Sequence, residues 1–289
     1  MFKKLLKYDM RSVSKYWWIG AAISLGASIM GALLMRFFMY IVDSEEPNTF
    51  LILIGIFSMI VAILCVLAVA LSFVLTIVLV FVRFYKHFFT DEGYLTFTLP
   101  ASRSALFLSK TVNAVIWYSL HFVVLAVSIL LFAILIVPPE EGQFFIQFSV
   151  FEVIGDWLVA SWELVGAWFI VYAFEALLLA FLYMIFTISL IHLCITFGSI
   201  IAKKARLLAF IGLYYAFSTV FSMLVQFGTF LVGGFMGPGF SFLLENAAKN
   251  QEYAAYSLVL LIIAAVIGAI AFALYSLTQY LLDRKLNLA

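Results

Sequence analysis

The sequence predicts an all-α membrane protein, with six transmembrane helices in a single domain over residues 1–289. Of the residues, 66% are apolar and only 11% are charged, whereas soluble domains have about 45–50% apolar and about 25% charged residues. Several apolar stretches exceed the roughly 18 residues that indicate a spanning helix. The basic residues cluster in alternate connections. A water-facing surface with so few charges would expose large apolar patches, which lipid can cover.

The candidate spans are long enough to cross a hydrocarbon core of about 30 Å at about 1.5 Å per residue. They cover residues 17–42, 50–82, 112–137, 164–200, 207–235 and 257–282. The second and fourth spans are too long for one upright crossing and too short for two crossings joined by a turn. Because neither contains a proline or a glycine-rich break, each is predicted to be one long, tilted or projecting helix.

The distribution of charge predicts the orientation of these spans. Fourteen of the sixteen Lys and Arg residues lie in the N-terminal segment, the second-to-third and fourth-to-fifth connections, and the C-terminal tail. Basic connections remain in the cytoplasm, so we expect a multi-pass plasma-membrane protein with both termini cytoplasmic. The exceptions are Arg36 and Lys249. Arg36 is near the outer end of its span and is expected to snorkel outward; pairing with Asp43 or Glu175 is the alternative.

Three segments outside the spans contain apolar residues of their own. On a helix, residues 1–16 place apolar side chains on one face and basic side chains on another. This pattern predicts an interfacial helix in the headgroup plane. Residues 138–163 begin with two prolines and mix aromatic with acidic residues, which predicts one or two short helices on the outer surface. Residues 236–256 contain a Gly-Pro-Gly break before a short apolar run, which favours a re-entrant segment covered by protein.

The inner connection, residues 83–111, has the most distinctive pattern, and Arg83 to Lys110 read RFYKHFFTDEGYLTFTLPASRSALFLSK. Thr90 can cap a short helix whose first turn is acidic, which favours that end of the helix dipole. Pro100 ends the segment, and Ser102 or Ser104 can cap the next helix. Such a short helix is a candidate docking surface for a cytoplasmic protein. A passive loop held by interfacial aromatic residues is the alternative.

Two motifs resemble a known family. The run DEGYLTFTLPASRSALFLSK, Asp91 to Lys110, resembles permease subunits of type-2 ATP-binding-cassette (ABC) transporters of Gram-positive anaerobes. These often carry DEGYLTLTLP, then small and basic residues, then SK. The start, MFKKLLKYDMRSVSKYWW, is similar to their N-terminal elbow helix. The order of the spans is also similar, whereas the sizeable outer connection at residues 138–163 departs from the family pattern.

The resemblance implies that the second-to-third connection is a cytoplasmic coupling helix docked on a separate ABC ATPase subunit, and that a re-entrant outer segment joins helices five and six. The partner ATPase would bind ATP and Mg, and this chain would need no cofactor. It would pair with a second permease copy or a related permease and export a cargo. The residues that match the ATPase-coupling motif are Asp91, Glu92, Gly93, Tyr94, Leu95, Thr98, Leu99, Pro100 and Arg103. An apolar, aromatic-rich interior favours an amphiphilic cargo such as a peptide, a lipid or an antibiotic.

Polar residues within the spans are candidates for a translocation path or for helix pairing. They are Glu175, Arg36, His121, His192 and Gln226. A carboxylate at depth costs at least a few kcal/mol, so Glu175 needs a partner, a cavity or a proton. A cargo or proton contact, a helix–helix hydrogen bond and a neutral acid all remain open for it. The two histidines are interpreted as partners in packing hydrogen bonds rather than as ligands. The small residues of the first span could form a dimer seam: Gly20, Ala21, Gly26, Ala27, Gly31 and Ala32.

Several function classes lack support in the sequence. There is no phosphate-binding Gly-x-x-x-x-Gly-Lys-Ser/Thr loop, no intramembrane-protease motif and no metal-ligand spacing, so we expect no catalytic residues and no metal site. The net charge of +1 gives no indication of a nucleic-acid partner. Cys65 and Cys194 are interpreted as small buried hydrophobic residues. A membrane sensor or immunity protein without an ATPase is the alternative function.

The orientation can be tested with single cysteines on intact cells. A cysteine at Glu141 or Lys249 should react with an impermeant thiol reagent added from outside, whereas a cysteine at Arg103 should not, because basic connections stay inside. Labelling is read on the purified chain. The opposite pattern of labelling would contradict the predicted orientation.

Overall fold

The structure is a computed structural model that describes residues 2–44, 48–90, 92–93, 98, 101–136, 149–202, 205–234 and 249–284. This described part is all-helical, as predicted. Its seven helices are α1 (Phe2–Val42), α2 (Thr49–Phe89), α3 (Arg103–Ile136), α4 (Ser149–Val165), α5 (Trp168–Ile201), α6 (Arg206–Gly234) and α7 (Lys249–Arg284). Six of them, all except α4, are long and apolar enough to cross a membrane.

The second predicted span is one unbroken helix, and the fourth, 164–200, is one unbroken helix from Trp168 onward, because its first two residues belong to α4. Helix α2 has 41 residues and α5 has 34 residues, which confirms that neither is a hairpin of two crossings. The chain turns before α5 at Gly166, where φ is 60°. Helices α3 and α7 begin at Arg103 and Lys249, about nine and eight residues before the predicted starts. Hydropathy locates the apolar part of a helix but not its polar first turns, which continue the same backbone.

Helix α1 runs without a break from Phe2 to Val42, so the predicted boundary at residue 17 is not a helix end. The serines of the basic segment do not interrupt it, because the hydroxyl groups of Ser12 and Ser14 donate to the carbonyl groups of Asp9 and Arg11 at 2.7 and 3.0 Å. Such bonds to a preceding turn are compatible with a continuous helix. The position of residues 2–16 in the headgroup plane stays a prediction.

The two outer connections are described in part. Helix α4 provides a short helix within the 138–163 connection, as predicted. Residues 138–148 of that connection lie outside the described residues, and so do residues 236–248 of the predicted re-entrant segment. Residues 249–256 form the first two turns of α7.

Met1–Arg83 and Val112–Glu163 form the first compact unit. Its helices meet at polar points. The hydroxyl groups of Ser24 on α1 and Ser128 on α3 lie 3.0 Å apart, and the Ser28 hydroxyl donates to the Ser128 carbonyl. A Cβ added at Gly31 of α1 would lie 2.9 Å from the Cβ of Cys65 on α2. The face of α1 at Gly31, which was predicted to pair with another chain, therefore packs against α2 of the same chain.

Phe84–Thr111 and Leu164–Ala289 form the second compact unit, in which α5 packs along both α6 and α7. On α5, Phe186, Leu190 and Cys194 recur every four residues and share a buried core with Ala271 of α7. Nearer its N-terminus α5 contacts α7 through Glu175 and Ser257. Because residue numbers rise together along both helices, α5 and α7 run in the same direction.

Large apolar side chains cover the outside of these helices. Phe57 on α2 is 67% exposed and Phe272 on α7 is 73% exposed, and none of the residues Leu208–Phe227 of α6 is buried. A contiguous apolar exterior of this kind is stable in lipid and not in water. The helices are therefore consistent with a multi-pass membrane protein.

The close approach of α5 and α6 gives a stability test. A Cβ on Gly198 would lie 2.9 Å from the backbone nitrogen of Phe210, and backbone cannot move aside as a flexible side chain can. Gly198→Ala should cost about 1–3 kcal/mol through overpacking and lower the unfolding temperature in detergent by several degrees. Gly212→Ala on α6 is the matched control, because nothing lies within 4 Å of its added Cβ. Equal unfolding temperatures for the two variants would contradict the close packing.

Candidate functional site

The connection between α2 and α3 is the first candidate site. We call residues 84–111 the coupling connection; they comprise the end of α2, the residues between the helices and the start of α3. Of the predicted coupling residues, the structure describes Glu92, Gly93, Thr98 and Arg103. The other predicted coupling residues lie outside the described residues: Asp91, Tyr94, Leu95, Leu99 and Pro100.

Arg103 ties the start of α3 to the end of α7. Its Nη1 donates to the carbonyl oxygens of Leu282 at 3.0 Å and Asp283 at 2.9 Å. The last four carbonyls of a helix have no partner within that helix, and the C-terminal end of the helix dipole attracts a cation. The two N–H bonds of Nη1 serve these two neighbouring oxygens. Arg103 therefore acts as a charged C-terminal cap on a helix about 180 residues away in the chain.

Arg206 makes the corresponding bond to α2. Its Nη1 donates to the carbonyl oxygen of Phe89 at 2.6 Å, and Phe89 is the last residue of α2. Sequence reasoning counted Arg206 only as a cytoplasmic charge. No local pattern could have indicated this role, because the acceptor lies 117 residues away. Both ends of the coupling connection are thus held by arginines at helix termini.

Aromatic rings pack next to these bonds. The His192 ring on α5 lies 4.1 Å from the Phe84 ring and 5.7 Å from the Phe107 ring, measured between centroids. Phe107 also stacks on Tyr275 of α7 at 4.7 Å. His192 is fully buried and packs against rings of α2 and α3, whereas the packing hydrogen bond expected of it stays a prediction. Through these rings α5 contacts both α2 and α3, and α7 contacts α3, within the second unit.

The backbone of the coupling connection turns tightly at the end of α2. The Thr90 hydroxyl donates backward to the Lys86 carbonyl at 2.6 Å. A hydroxyl group that donates one hydrogen bond can still accept another, so the capping of a following helix by Thr90 stays a prediction. The Gly93 amide donates to the Thr90 carbonyl at 2.7 Å, and a Cβ on Gly93 would lie 3.0 Å from the Phe88 carbonyl oxygen. Only glycine allows this approach without a shift of the backbone.

Ser102 caps the next helix, as predicted. Its Oγ accepts a hydrogen bond from the Ala105 amide at 3.3 Å, and its carbonyl accepts from the Leu106 amide at 3.1 Å. This is the arrangement of an N-cap, in which the side chain satisfies one of the free amides of the first turn. Because this cap lies immediately before Arg103, it fixes the start of α3 and with it the backbone position from which the Arg103 guanidinium extends.

A row of three ionisable side chains runs from this packed region to the surface. The Lys110 Nζ lies 3.0 Å from the His87 Nδ1, and the His87 Nε2 lies 3.9 Å from a Glu92 carboxylate oxygen. Lys110 is buried, whereas the Glu92 side chain is 60% exposed. Thr98 is also exposed. The coupling connection therefore exposes the Glu92 carboxylate, and the neighbouring His87 ring contacts the buried Lys110.

Glu175 forms a second candidate site, near the N-terminal ends of α5 and α7. The residue is 3% exposed. Its Oε1 accepts a hydrogen bond from the Ser257 hydroxyl of α7. The other oxygen, Oε2, is also buried and receives no hydrogen bond from any residue that the structure describes. The helix–helix hydrogen bond that the sequence left open is therefore present, and it uses half of the carboxylate.

The remaining candidates lie elsewhere in the two units. In the first unit, His121 of α3 lies 3.0 Å from the Thr76 hydroxyl and 3.3 Å from the Ser72 hydroxyl of α2. This confirms its interpretation as a packing hydrogen bond. Arg36 is half-buried on α1, and Gln226 of the second unit has an exposed position on α6. Both cysteines are free, with Cys194 buried and Cys65 half-buried.

Among the residues that the structure describes, no group of three or more His, Cys, Asp or Glu side chains could hold a metal ion. Comparisons of the chain with protein-family models, with curated proteins and with solved structures find no match.

Proposed function

We propose that this chain is the membrane-spanning permease subunit of an ATP-driven ABC exporter. In this proposal the coupling connection docks on a separate ATPase subunit, and the six long helices carry an amphiphilic cargo across the plasma membrane. The resemblance of the segment from Asp91 to Lys110 to type-2 ABC permeases supports the proposal. The observation that carries it is the attachment of the coupling connection to other helices by Arg103 and Arg206.

This attachment is what a force-transmitting contact requires. A docking surface can move a helix only if stiff contacts join the two. Arg103 bonds to the last turn of α7, and Arg206 joins α6 to the last residue of α2. A passive cytoplasmic loop held by interfacial aromatics would need neither arginine. All three arginine hydrogen bonds are charge-assisted, which makes them roughly twice as strong as neutral ones.

The proposed mechanism follows from these contacts. ATP and Mg bind to the partner ATPase, and closure of a pair of ATPases displaces the docked coupling connection. Arg103 passes this displacement to α7, and the rings around His192 pass it to α5. Because α5 packs along both α6 and α7, the three helices respond together. This chain performs no chemical step and transmits only motion.

The same proposal includes the orientation and the partners. Both termini and the coupling connection face the cytoplasm, where ATP is available. The membrane subunit pairs with a second copy of itself or with a related permease. The abundance of apolar and aromatic side chains with few charges favours an amphiphilic cargo over a small hydrophilic ion.

Association with an ATPase tests the docking surface. The triple variant Asp91→Lys, Glu92→Lys, Pro100→Ala should lose most co-purification of an ATP-hydrolysing subunit in mild detergent. The first two changes reverse the charge of the docking segment, and the third removes the proline that ends it. Membrane insertion should not change. Co-purification is measured by mass spectrometry and by ATP hydrolysis in the eluate.

The matched control is Glu152→Lys with Asp156→Lys, an exposed acidic pair on α4 that undergoes the same change of charge. It should retain the ATPase. If the wild-type chain co-purifies with no ATPase, the alternative of a sensor or immunity protein replaces the transporter. If the triple variant retains a fully active ATPase, the docking assignment is wrong.

Arg103 tests transmission separately from docking. Arg103→Ala should leave the ATPase bound but should lower the permease-dependent stimulation of ATP hydrolysis in nanodiscs by about tenfold. Charged hydrogen bonds contribute about 1.5–3 kcal/mol, and about 1.4 kcal/mol corresponds to a factor of ten. Arg284→Ala is the matched control, because this arginine lies over Tyr280 of its own helix at 5.2 Å. Equal stimulation by both variants would show that Arg103 transmits nothing.

A further inference from the structure

We propose that the N-terminal ends of α5 and α7 form a binding site for the ammonium group of an amphiphilic amine, with the Glu175 carboxylate as its counter-ion. The walls of the site are Ser257 and the rings of Trp168, Tyr172 and Tyr253. That such an amine is the exported cargo rests on the proposed function, whereas the binding site itself does not.

The carboxylate is the first argument. Glu175 is 3% exposed, and its buried Oε2 has no hydrogen-bond donor among the described residues. A carboxylate can accept about four hydrogen bonds, and a buried one without compensation costs several kcal/mol. A hydrogen bond between two helices needs only a neutral amide such as glutamine. A carboxyl group whose second buried oxygen has no donor among the described residues therefore indicates a cation as the missing partner.

The aromatic neighbours are the second argument. Trp168, Tyr172 and Glu175 follow one another on α5 at spacings of four and three residues, which places them on one helical face. Tyr253 and Ser257 of α7 are four residues apart and meet this face. The centroid of the Trp168 ring lies 6.2 Å from that of Tyr172 and 6.3 Å from that of Tyr253. Aromatic faces attract cations, most strongly where water is excluded.

Hydrogen bonds fix the rings in place. The Tyr172 hydroxyl donates to the Tyr253 carbonyl at 3.0 Å, and the Tyr253 hydroxyl donates to the Leu164 carbonyl at 3.2 Å. The phenol protons are therefore committed to backbone acceptors, so the rings meet a ligand with their faces and not as donors. A ring held in place before binding loses little entropy when a ligand arrives.

These features also select the kind of cation. Glu175 Oε2 is an acceptor that needs a donor, so an ammonium group with N–H bonds satisfies it better than a quaternary ammonium group does. The surrounding helices expose apolar side chains, including Phe174 and Leu177 on α5, and these can accommodate an alkyl tail in the lipid. The site therefore fits a primary or secondary amine on an apolar chain.

The test uses the purified full-length chain in lipid nanodiscs without any ATPase. Octylamine, which is protonated at pH 7, is titrated by calorimetry and by tryptophan fluorescence, and empty nanodiscs correct for partition into lipid. Saturable binding of one octylamine per chain is expected. Octanol, with the same tail and no charge, should show partition only. Octyltrimethylammonium, which has no N–H donor, should bind more weakly than octylamine.

The variants assign the binding to the site. Glu175→Gln keeps the shape and can still accept the Ser257 hydrogen bond, and it should weaken octylamine binding at least about tenfold, equivalent to about 1.4 kcal/mol. Glu163→Gln is the matched control at an exposed position on α4 and should bind as the wild-type chain does. Trp168→Phe should abolish the fluorescence change while calorimetry still detects binding.

Unchanged octylamine binding by Glu175→Gln, equal saturable binding of octanol, or no saturable binding at all would overturn the proposal. If Glu175→Gln does not yield a monodisperse protein, Glu175→Asp provides the measurement, because it keeps the charge and should still prefer octylamine to octanol. Loss of that preference in a folded Glu175→Asp protein would also overturn it. If the chain binds octylamine but no ATPase, only the proposed function is contradicted. If the chain binds an ATPase but not octylamine, only this site is contradicted.

Discussion

Lipid offers no hydrogen bonds, and this constraint determines where the helices of this protein meet through polar groups. In the first unit, α1 contacts α3 through Ser24, Ser28 and Ser128, and α2 contacts α3 through His121. In the second unit, the Ser257 hydroxyl of α7 satisfies one oxygen of Glu175. Interhelical hydrogen bonds of this kind contribute only about 0.6–2 kcal/mol each. Their main effect is to fix which residues face each other, because the alternative is an unsatisfied polar group in an apolar medium.

A separate requirement arises at the ends of helices, where the last carbonyls lack partners within the helix. Arg103 satisfies two of them on α7, and Arg206 satisfies one on α2. A water molecule could satisfy a carbonyl at an exposed helix end, but an arginine also joins two segments of the chain. Arg103 and Arg206 therefore satisfy free carbonyls at helix ends, and in doing so they attach the coupling connection to α7 and α6.

Patterns that are local in the sequence predicted the fold well. The apolar runs predicted six spanning helices and single long helices for α2 and α5, and Ser102 marked the start of α3. The contacts of the candidate site could not be predicted in this way. Arg206 and Phe89 are 117 residues apart, and Glu175 and Ser257 are 82 residues apart, so no periodicity connects them. Thr90 shows a related limit: a threonine can bond forward as a cap and backward to the preceding turn, and the sequence did not indicate the backward bond to the Lys86 carbonyl.

Helix α7 connects the two candidate sites. Ser257 is near its N-terminal end and Leu282 is near its C-terminal end, about 37 Å apart along the axis at about 1.5 Å per residue. The helix between them contains no proline, and kinks arise mainly at proline and similar defects. If a cation at Glu175 shifts the position of α7, the Arg103 bond carries that shift to the coupling connection. Binding equilibria are reciprocal, so the ATPase of the proposed transporter would, by displacing the coupling connection, change the affinity at Glu175 by the same factor. One stiff helix held at both ends by polar contacts is sufficient for this exchange, and the proposed transporter then needs no contact between its ATPase and its cargo.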